Sequence, residues 1–126
     1  MRRGDFNKKN VDALGDFLAE DIVDHNPPPN VEPGIAGIKV MFREFFAAFP
    51  DMSVQVDDLI AEGDKVVMRV TTTGTHQGDF MGIAATGKKV SFGEIHILRI
   101  ADGKMAEHWG VEDQMGMMQQ LGVIPS

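Results

Sequence analysis

The sequence predicts one α+β domain, in which an antiparallel sheet curves over N-terminal helices and leaves an apolar pocket at one end. Two observations predict this fold class. Apolar residues recur at helical spacing before Pro50, and they alternate with polar residues as in strands after it. A chain of 126 residues has the length of a single domain, which we place at 1–126.

Two helices are predicted before Pro50. The first begins near the start of the chain, and one of its faces carries Val11, Leu14, Phe17 and Leu18. The segment 24–29 ends in consecutive prolines and cannot be helical. The second helix begins near Ile35, and its broad apolar stripe consists of Ile35, Ile38, Phe42, Phe45, Phe46 and Phe49.

Four strands and a short helix are predicted after Pro50. The strands cover 52–56, 66–76, 90–100 and 104–112, because apolar residues alternate there with a period of two. Turns are expected at Glu62-Gly63-Asp64 and at Asp102-Gly103, which is a strong hairpin signal. A closing amphipathic helix carries Met117, Met118 and Leu121.

The last hairpin predicts which side chains share the inward face of the sheet. With Asp102-Gly103 as a two-residue turn, the facing pairs are Leu98 and Glu107, His96 and Trp109, and Glu94 and Val111. Phe92 lies on the same face, whereas His108 points to the other face together with Ile95 and Ile97. His76 shares the inward parity of the strand before. We therefore expect three histidines and two acids to converge: His25, His76, His96, Glu107 and Asp113.

Several short motifs resemble those of the SnoaL-like polyketide (ester) cyclases. They are DHNP at 24–27, FPD at 49–51, GTHQG at 74–78, ATG at 85–87, and GKMAEHWGVED followed by QLG. They span nearly the whole chain in the right order. The resemblance implies the cone-shaped fold of the nuclear-transport-factor-2-like superfamily. It also implies an enzyme that needs no cofactor and closes a ring of a polyketide ester by intramolecular aldol condensation. In that chemistry the resemblance makes Asp113 the acid/base group, assisted by His96.

Each candidate also has a structural interpretation. Asp113 precedes the last helix and could cap it, act as a base, or do both. Glu107 is expected to pair with a histidine or an arginine, because an unpaired buried charge is expensive. His25 could bind substrate at the pocket rim or stabilise a turn, and His76 could pin the loop that follows it. The predicted substrate-binding set is His25, His76, Glu107, Trp109, Phe46, Phe92 and Met117.

The leading hypothesis is acid/base catalysis on a small hydrophobic carbonyl compound. Two alternatives stay open: a non-catalytic binder of a hydrophobic metabolite, and another reaction on the same fold, such as dehydration, isomerisation or epoxide hydrolysis. A homodimer through the outer sheet face is also expected, with Ile95 and Ile97 in its interface.

Composition argues against several other classes. The net charge is −7 and the 12 basic residues are scattered, so we expect no nucleic-acid partner. No apolar run is long enough to span a bilayer, and no secretory signal is visible. The absence of cysteine fits a reducing cytoplasm. HxH and HExxH spacings are missing, so no metal site is predicted.

Overall fold

The computed structural model describes residues 11–27 and 31–125. The elements are a 3₁₀ helix (Val11–Asp16), β1 (Leu18–Asp24), α1 (Gly34–Ala48), β2 (Ser53–Glu62), β3 (Lys65–Thr75), β4 (Lys89–Ala101), β5 (Lys104–Glu112) and α2 (Gln114–Leu121). The predicted start of the first helix and the prolines at 28 and 29 lie outside the described residues.

The five strands form one open sheet in the order β1-β5-β4-β3-β2. The α+β prediction is confirmed, and strands β2 to β5 pair antiparallel as expected. Strand β1, which was not predicted, runs parallel to β5, so the complete sheet is mixed.

Strand β1 begins at Leu18, the last residue that the sequence assigned to the apolar face of the first helix. Leu18 and Ile22 are buried, at 6% and 2% exposure. They lie four residues apart, and this spacing places two residues on one face of either a helix or a strand. Apolar spacing alone therefore could not separate the two structures.

Helix α1 and the inner face of the sheet enclose the core. The helix follows Pro33 and ends where the Phe49 N–H donates to the Phe45 carbonyl, one residue before Pro50. We call the sheet face that packs against the helices the inner face. One core cluster contains Ala48, Phe49, Met52, Val90, Phe92, Met117 and Leu121, and a second contains Leu14, Leu18, Ile22 and Ile38. No helix in the described ranges is long and apolar enough to cross a membrane.

The β4–β5 hairpin begins as predicted and then changes register. Asp102 and Gly103 both have positive φ, 53° and 75°, as a tight two-residue turn requires. Ile100 faces Met105, but Arg99 already faces Glu107, so Ala106 is an extra residue on β5. Such a bulge reverses the side chains beyond it, because side chains alternate between faces.

The bulge corrects the predicted faces of β5. The observed pairs are Leu98 and His108, His96 and Gly110, and Glu94 and Glu112. Glu107, Trp109 and Val111 therefore lie on the outer face, and their predicted inward placement is wrong. His108 lies on the inner face, opposite to the prediction.

Candidate active site

A line of polar side chains crosses the inner face on four adjacent strands. We call it the polar chain, and its members are Asp24, His108, His96, Glu94 and Thr72. Asp24 Oδ1 lies 2.9 Å from His108 Nδ1, and His108 Nε2 lies 2.7 Å from His96 Nδ1. His96 Nε2 lies 2.8 Å from Glu94 Oε2, and the Thr72 hydroxyl donates to Glu94 Oε1 at 2.7 Å. Two imidazoles thus connect two carboxylates without a gap.

Asp24 anchors one end of the polar chain as an ionised group. Burial raises the pKa of Asp24, but hydrogen bonds from His108 and from the backbone N–H of Asn26 outweigh burial, and the pKa lies below its ordinary value. An ionised carboxylate only accepts hydrogen bonds, so the His108 Nδ1–H donates to Asp24.

Glu112 lies at the other end of the polar chain, opposite Glu94 on the neighbouring strand. The residue is accessible to solvent, but the surrounding protein still limits hydration of its carboxylate. This desolvation and the nearby Glu94 carboxylate raise the pKa of Glu112. Glu112 is therefore a stronger base than an ordinary glutamate.

Gly110 leaves room for the two imidazoles to meet. A Cβ at this position would lie 2.7 Å from His96 Nδ1 and 2.9 Å from His108 Nε2. Real Cβ atoms do not approach other atoms so closely, so any side chain here would push the rings apart. The contact between the two histidines therefore depends on glycine at position 110.

The segment that leaves β1 binds β5 through three consecutive side chains. Asp24 contacts His108 as described, and the Asn26 side chain accepts from the Gly110 N–H at 3.0 Å. Between them, His25 Nε2 lies 2.8 Å from Glu107 Oε2. The DHN sequence at 24–26 thus fixes the edge of the sheet beside the polar chain.

A second polar group, the outer cluster, occupies the opposite face of the sheet and consists of His25, Glu107, Arg99 and Trp109. The His25 and Trp109 rings stack with centroids 4.6 Å apart, and the Arg99 Nε donates to Glu107 Oε1 at 2.6 Å. Hydrogen bonds from His25 and Arg99 lower the pKa of Glu107. The expectation that Glu107 pairs with a histidine or an arginine is met by both residues, but away from His96.

Asp113 caps helix α2. Its Oδ1 accepts from the Gly116 N–H at 2.9 Å, and its side chain is exposed. No hydrogen bond between Asp113 and the polar chain occurs within the described residues. Of the two interpretations open from the sequence, capping is observed, and the catalytic role stays a prediction.

The remaining predicted substrate contacts lie mostly in the core. Phe92 and Met117 have almost no exposed surface, whereas Phe46 is half-buried and packs against both core clusters. His76 is fully buried, and its Nδ1 accepts from the Thr86 N–H at 3.2 Å. His76 thus pins the loop after β3, as one of its two interpretations expected. Contact of these residues with a substrate stays a prediction.

Four functional candidates on the inner face were absent from the predicted site: Asp24, Glu94, His108 and Glu112. A signal for them exists in the sequence. Glu94 and His96 alternate on one strand, as do His108, Gly110 and Glu112 on the next. The two sets share a face only if the hairpin contains a bulge. Where the chain is described, no group of three or more His, Asp or Glu side chains is arranged to hold a metal ion.

The fold and the polar chain define an α+β protein of the nuclear-transport-factor-2-like class, with histidines and carboxylates on the inner face of its sheet. The chain belongs to the SnoaL-like polyketide cyclase family, whose model matches residues 3–121. The family predicted from the short motifs is therefore confirmed.

Individual relatives support the same family. The chain is 28% identical to the aklanonic acid methyl ester cyclase DnrD of Streptomyces peucetius over 111 residues, or 85% of this chain and 72% of DnrD. It is 27% identical to the nogalonic acid methyl ester cyclase of Streptomyces nogalater, covering 93% of this chain and 89% of that protein. The structure of TsrD from Streptomyces laurentii superimposes with a TM-score of 0.89 at 36% identity, covering 97% of this chain and 90% of TsrD.

Proposed function

We propose that the protein closes a ring in a polyketide ester by intramolecular aldol condensation, with acid/base catalysis at the polar chain. One observation carries the proposal. Two imidazoles and their carboxylates lie in unbroken contact on the inner face of a chain from the SnoaL-like polyketide cyclase family. Two of its relatives are named as cyclases of methyl esters, and we extend that substrate class to this protein.

The reaction needs one base and one acid. The base removes a proton from the carbon next to the ester carbonyl, and the resulting enolate carbon attacks a ketone carbon of the same molecule. A C–C bond forms, the ketone π bond opens, and the alkoxide takes up a proton. The product is an isomer of the substrate, so neither an oxidant nor a reductant is consumed.

We assign the base to Glu112 and the acid to His96. A raised pKa makes Glu112 the stronger proton acceptor, and an imidazolium at His96 can protonate the developing alkoxide. Asp113 is the competing base, because the family resemblance implies it. The carboxylate of Asp113 is engaged in capping α2, whereas Glu112 lies opposite Glu94 on the inner face, and this difference favours Glu112.

The proposed substrate is a small hydrophobic carbonyl compound that binds between α1 and the inner face. Phe46 supports this location, because its half-buried ring lies on α1 and packs against both core clusters. An apolar pocket here would exclude water and strengthen the electrostatic contacts to the developing alkoxide.

The test is conversion of aklanonic acid methyl ester and related polyketide methyl esters into isomers of the same mass, separated by chromatography. We expect wild-type turnover above the rate in buffer, and a loss of about 100-fold or more in His96→Gln. Glu112→Gln should show a similar loss, whereas Asp113→Asn should retain turnover. The proposal would be overturned if the wild-type protein converted none of these esters, or if His96→Gln kept full activity.

Asp113→Asn and Glu112→Gln form a matched pair, because both remove a negative charge at neighbouring positions. A large loss in Asp113→Asn with normal turnover in Glu112→Gln would transfer the base to Asp113. Thermal melts of both variants distinguish lower stability caused by loss of the helix cap from lower turnover caused by loss of the base.

We also propose that the protein forms a homodimer through the outer sheet face, and that it works in the cytoplasm. The support for the dimer is a band of exposed apolar side chains: Ile60 at 62%, Ile95 at 45% and Val111 at 66% exposure. Sedimentation should report a dimer that Ile95→Lys converts to a monomer. Val40→Lys is the control, since Val40 is 50% exposed but lies on α1. A wild-type monomer at all concentrations would contradict the dimer.

A further inference from the structure

The contacts of the polar chain require one more proton than two neutral imidazoles provide. Three gaps must each contain a proton: Asp24 to His108, His108 to His96, and His96 to Glu94. Two neutral imidazoles supply two N–H groups. If both donate to the flanking carboxylates, two lone pairs face each other across 2.7 Å between the rings. A third proton removes this repulsion. It lies either on the imidazoles, which makes the pair of histidines singly positive, or on Glu94, whose hydroxyl would then donate to His96 Nε2.

We propose that the polar chain is a proton relay, in which His108 and His96 share one extra proton and pass it along the line from Asp24 to Glu94. The shared proton resides on His108 Nε2 or on His96 Nδ1, and a transfer across the 2.7 Å contact moves the positive charge from one ring to the other. The existence of the shared proton is independent of the reaction, whereas its use in turnover rests on the proposed function.

The surrounding charges favour a singly positive pair. Asp24 on β1 and Glu94 on β4 flank the two rings, Glu112 on β5 lies beyond Glu94, and Thr72 on β3 contributes a neutral hydroxyl. The side chains of Asp24 and Glu94 are only 15% and 14% exposed, so water screens their attraction to the imidazolium weakly. A positive charge between two shielded carboxylates is therefore stabilised.

The relay completes the proton balance of an aldol ring closure. Glu112 takes the proton from carbon. The alkoxide takes a proton from the His96 Nε2–H by replacing Glu94 Oε2 as its acceptor, because His96 Nδ1 faces His108. After this step Glu112 carries one proton too many and the relay lacks one. Because Glu94 lies opposite Glu112 and contacts His96, the proton can return through Glu94 to the imidazoles. Asp24 and His108 then act as positioning residues that do not touch substrate.

The first test uses histidine nitrogen NMR on the substrate-free protein at neutral pH. We expect His96 and His108 together to bear three N–H protons. In Asp24→Asn we expect the count to fall to two and the His96 signals to move, although Asp24 contacts His108 and not His96. A count of two in the wild type, or His96 signals unchanged in Asp24→Asn, would overturn the relay.

Glu107→Gln is the matched control for Asp24→Asn. It also neutralises a carboxylate 2.8 Å from a histidine, but on the outer face. We expect it to move the His25 signals and to leave His96 and His108 unchanged. Equal responses of His96 to both variants would mean a general electrostatic effect and would contradict transmission through His108.

The second test separates the rings without removing a titratable group. Gly110→Ala places a methyl group between His96 and His108. We expect the proton count to fall to two. Gly93→Ala is the control, because a Cβ at this strand position meets nothing within 4 Å. A count of three in Gly110→Ala would overturn the proposal. If Gly110→Ala does not fold, His108→Gln replaces it: His96 alone should then bear one N–H proton, and a count of two would overturn the proposal.

The third test measures turnover in mixtures of light and heavy water. A relay moves more than one proton in the rate-limiting step, so we expect the rate to vary non-linearly with the deuterium fraction in the wild type. In His108→Gln we expect a linear dependence and a lower kcat with little change in KM. A linear wild-type dependence would remove the relay from turnover. If no ester is converted, the proposed function fails while the NMR tests still decide on the shared proton.

Discussion

The two faces of the sheet each contain histidine–carboxylate contacts, at 2.8–2.9 Å, but they differ in connectivity. On the outer face both partners of Glu107 donate to one carboxylate, and one of them, Arg99, is always charged. On the inner face the two imidazoles touch each other and end at different carboxylates. The outer cluster is satisfied with a neutral His25, whereas the inner polar chain needs an additional proton.

The comparison shows that distance alone does not distinguish a structural pair from a reactive one. The His25 side chain is 37% exposed, against 22% for His96 and 23% for His108. Exposure lets water satisfy the remaining nitrogen of His25. The inner rings depend on each other, so a change at one ring must alter the other.

The largest effect is expected from placing a carboxylate at the inner position of His108. In His108→Glu the new carboxylate would lie beside Asp24, and the imidazole that contacts both Asp24 and His96 would be lost. We expect a loss of about 3 kcal/mol in the free energy of unfolding, because a charge shielded from water would have no partner. Thermal melts followed by circular dichroism measure it, with His25→Glu as the control on the outer face. A wild-type melting temperature in His108→Glu would contradict the inward placement of His108.

A smaller effect is expected when the carboxylate at the Asp24 end is neutralised. Asp24→Asn should lower the free energy of unfolding at neutral pH by about 1 kcal/mol, since the variant loses the charge that strengthens the hydrogen bonds from His108 and from the Asn26 N–H. The pKa of Asp24 is lowered in the folded state, so its stabilisation is complete above the ordinary value of 3.8 and is lost as the pH falls below it.

Denaturant titrations of wild type and Asp24→Asn at neutral pH and at acidic pH test this sign. The difference between the two proteins should shrink in acid. A difference that grows in acid would show that Asp24 is not ionised by its contacts. Glu107→Gln, on the exposed outer face, should cost less than Asp24→Asn at neutral pH.

Glu112→Gln is expected to have the opposite sign. The pKa of Glu112 is raised in the folded state, so ionisation of this group weakens folding as the pH rises above its ordinary value of 4.5. The variant should therefore melt at a higher temperature than wild type at neutral pH, and at a similar temperature in acid. A lower melting temperature at neutral pH would contradict the desolvation of Glu112 and its repulsion by Glu94.

The smallest effect is expected from Trp109→Phe on the outer face. The new ring can still stack on His25, so the loss in the free energy of unfolding should be about 1 kcal/mol or less. Turnover should stay near the wild-type value, because Trp109 and the polar chain lie on opposite faces. A large loss of kcat without a loss of stability would place Trp109 at the reacting groups.

Much of the fold could be predicted from the sequence. Strands β2 to β5 and helix α1 were identified because their apolar period is regular and their ends carry strong signals, such as Pro50 and Asp102-Gly103. Strand β1 was missed because Leu18 and Ile22 fit both periods, and its parallel partner is far away in the sequence. Local spacing contains no information about such a partner.

The candidate site was predicted less well, and one residue accounts for most of the error. Alternation with a period of two correctly places His96, Glu94 and Phe92 on the inner face. The same alternation directs Trp109 inward in place of His108, because an extra residue at Ala106 has no sequence signature. The family motifs identified the right segments, since DHNP and EHWG contain Asp24 and His108, but not which side chains meet.

The attachment of β1 has a consequence for the timing of activity. The contacts of Asp24 and Asn26 with β5 span 84 residues of sequence, and β1 is an edge strand with a neighbour on one side only. Long-range pairings of this kind are completed late in folding and open early. Detachment of this edge would disconnect one carboxylate from the imidazoles while the other four strands stay intact. The free energy needed to interrupt the polar chain would then be lower than the free energy needed to unfold the whole domain.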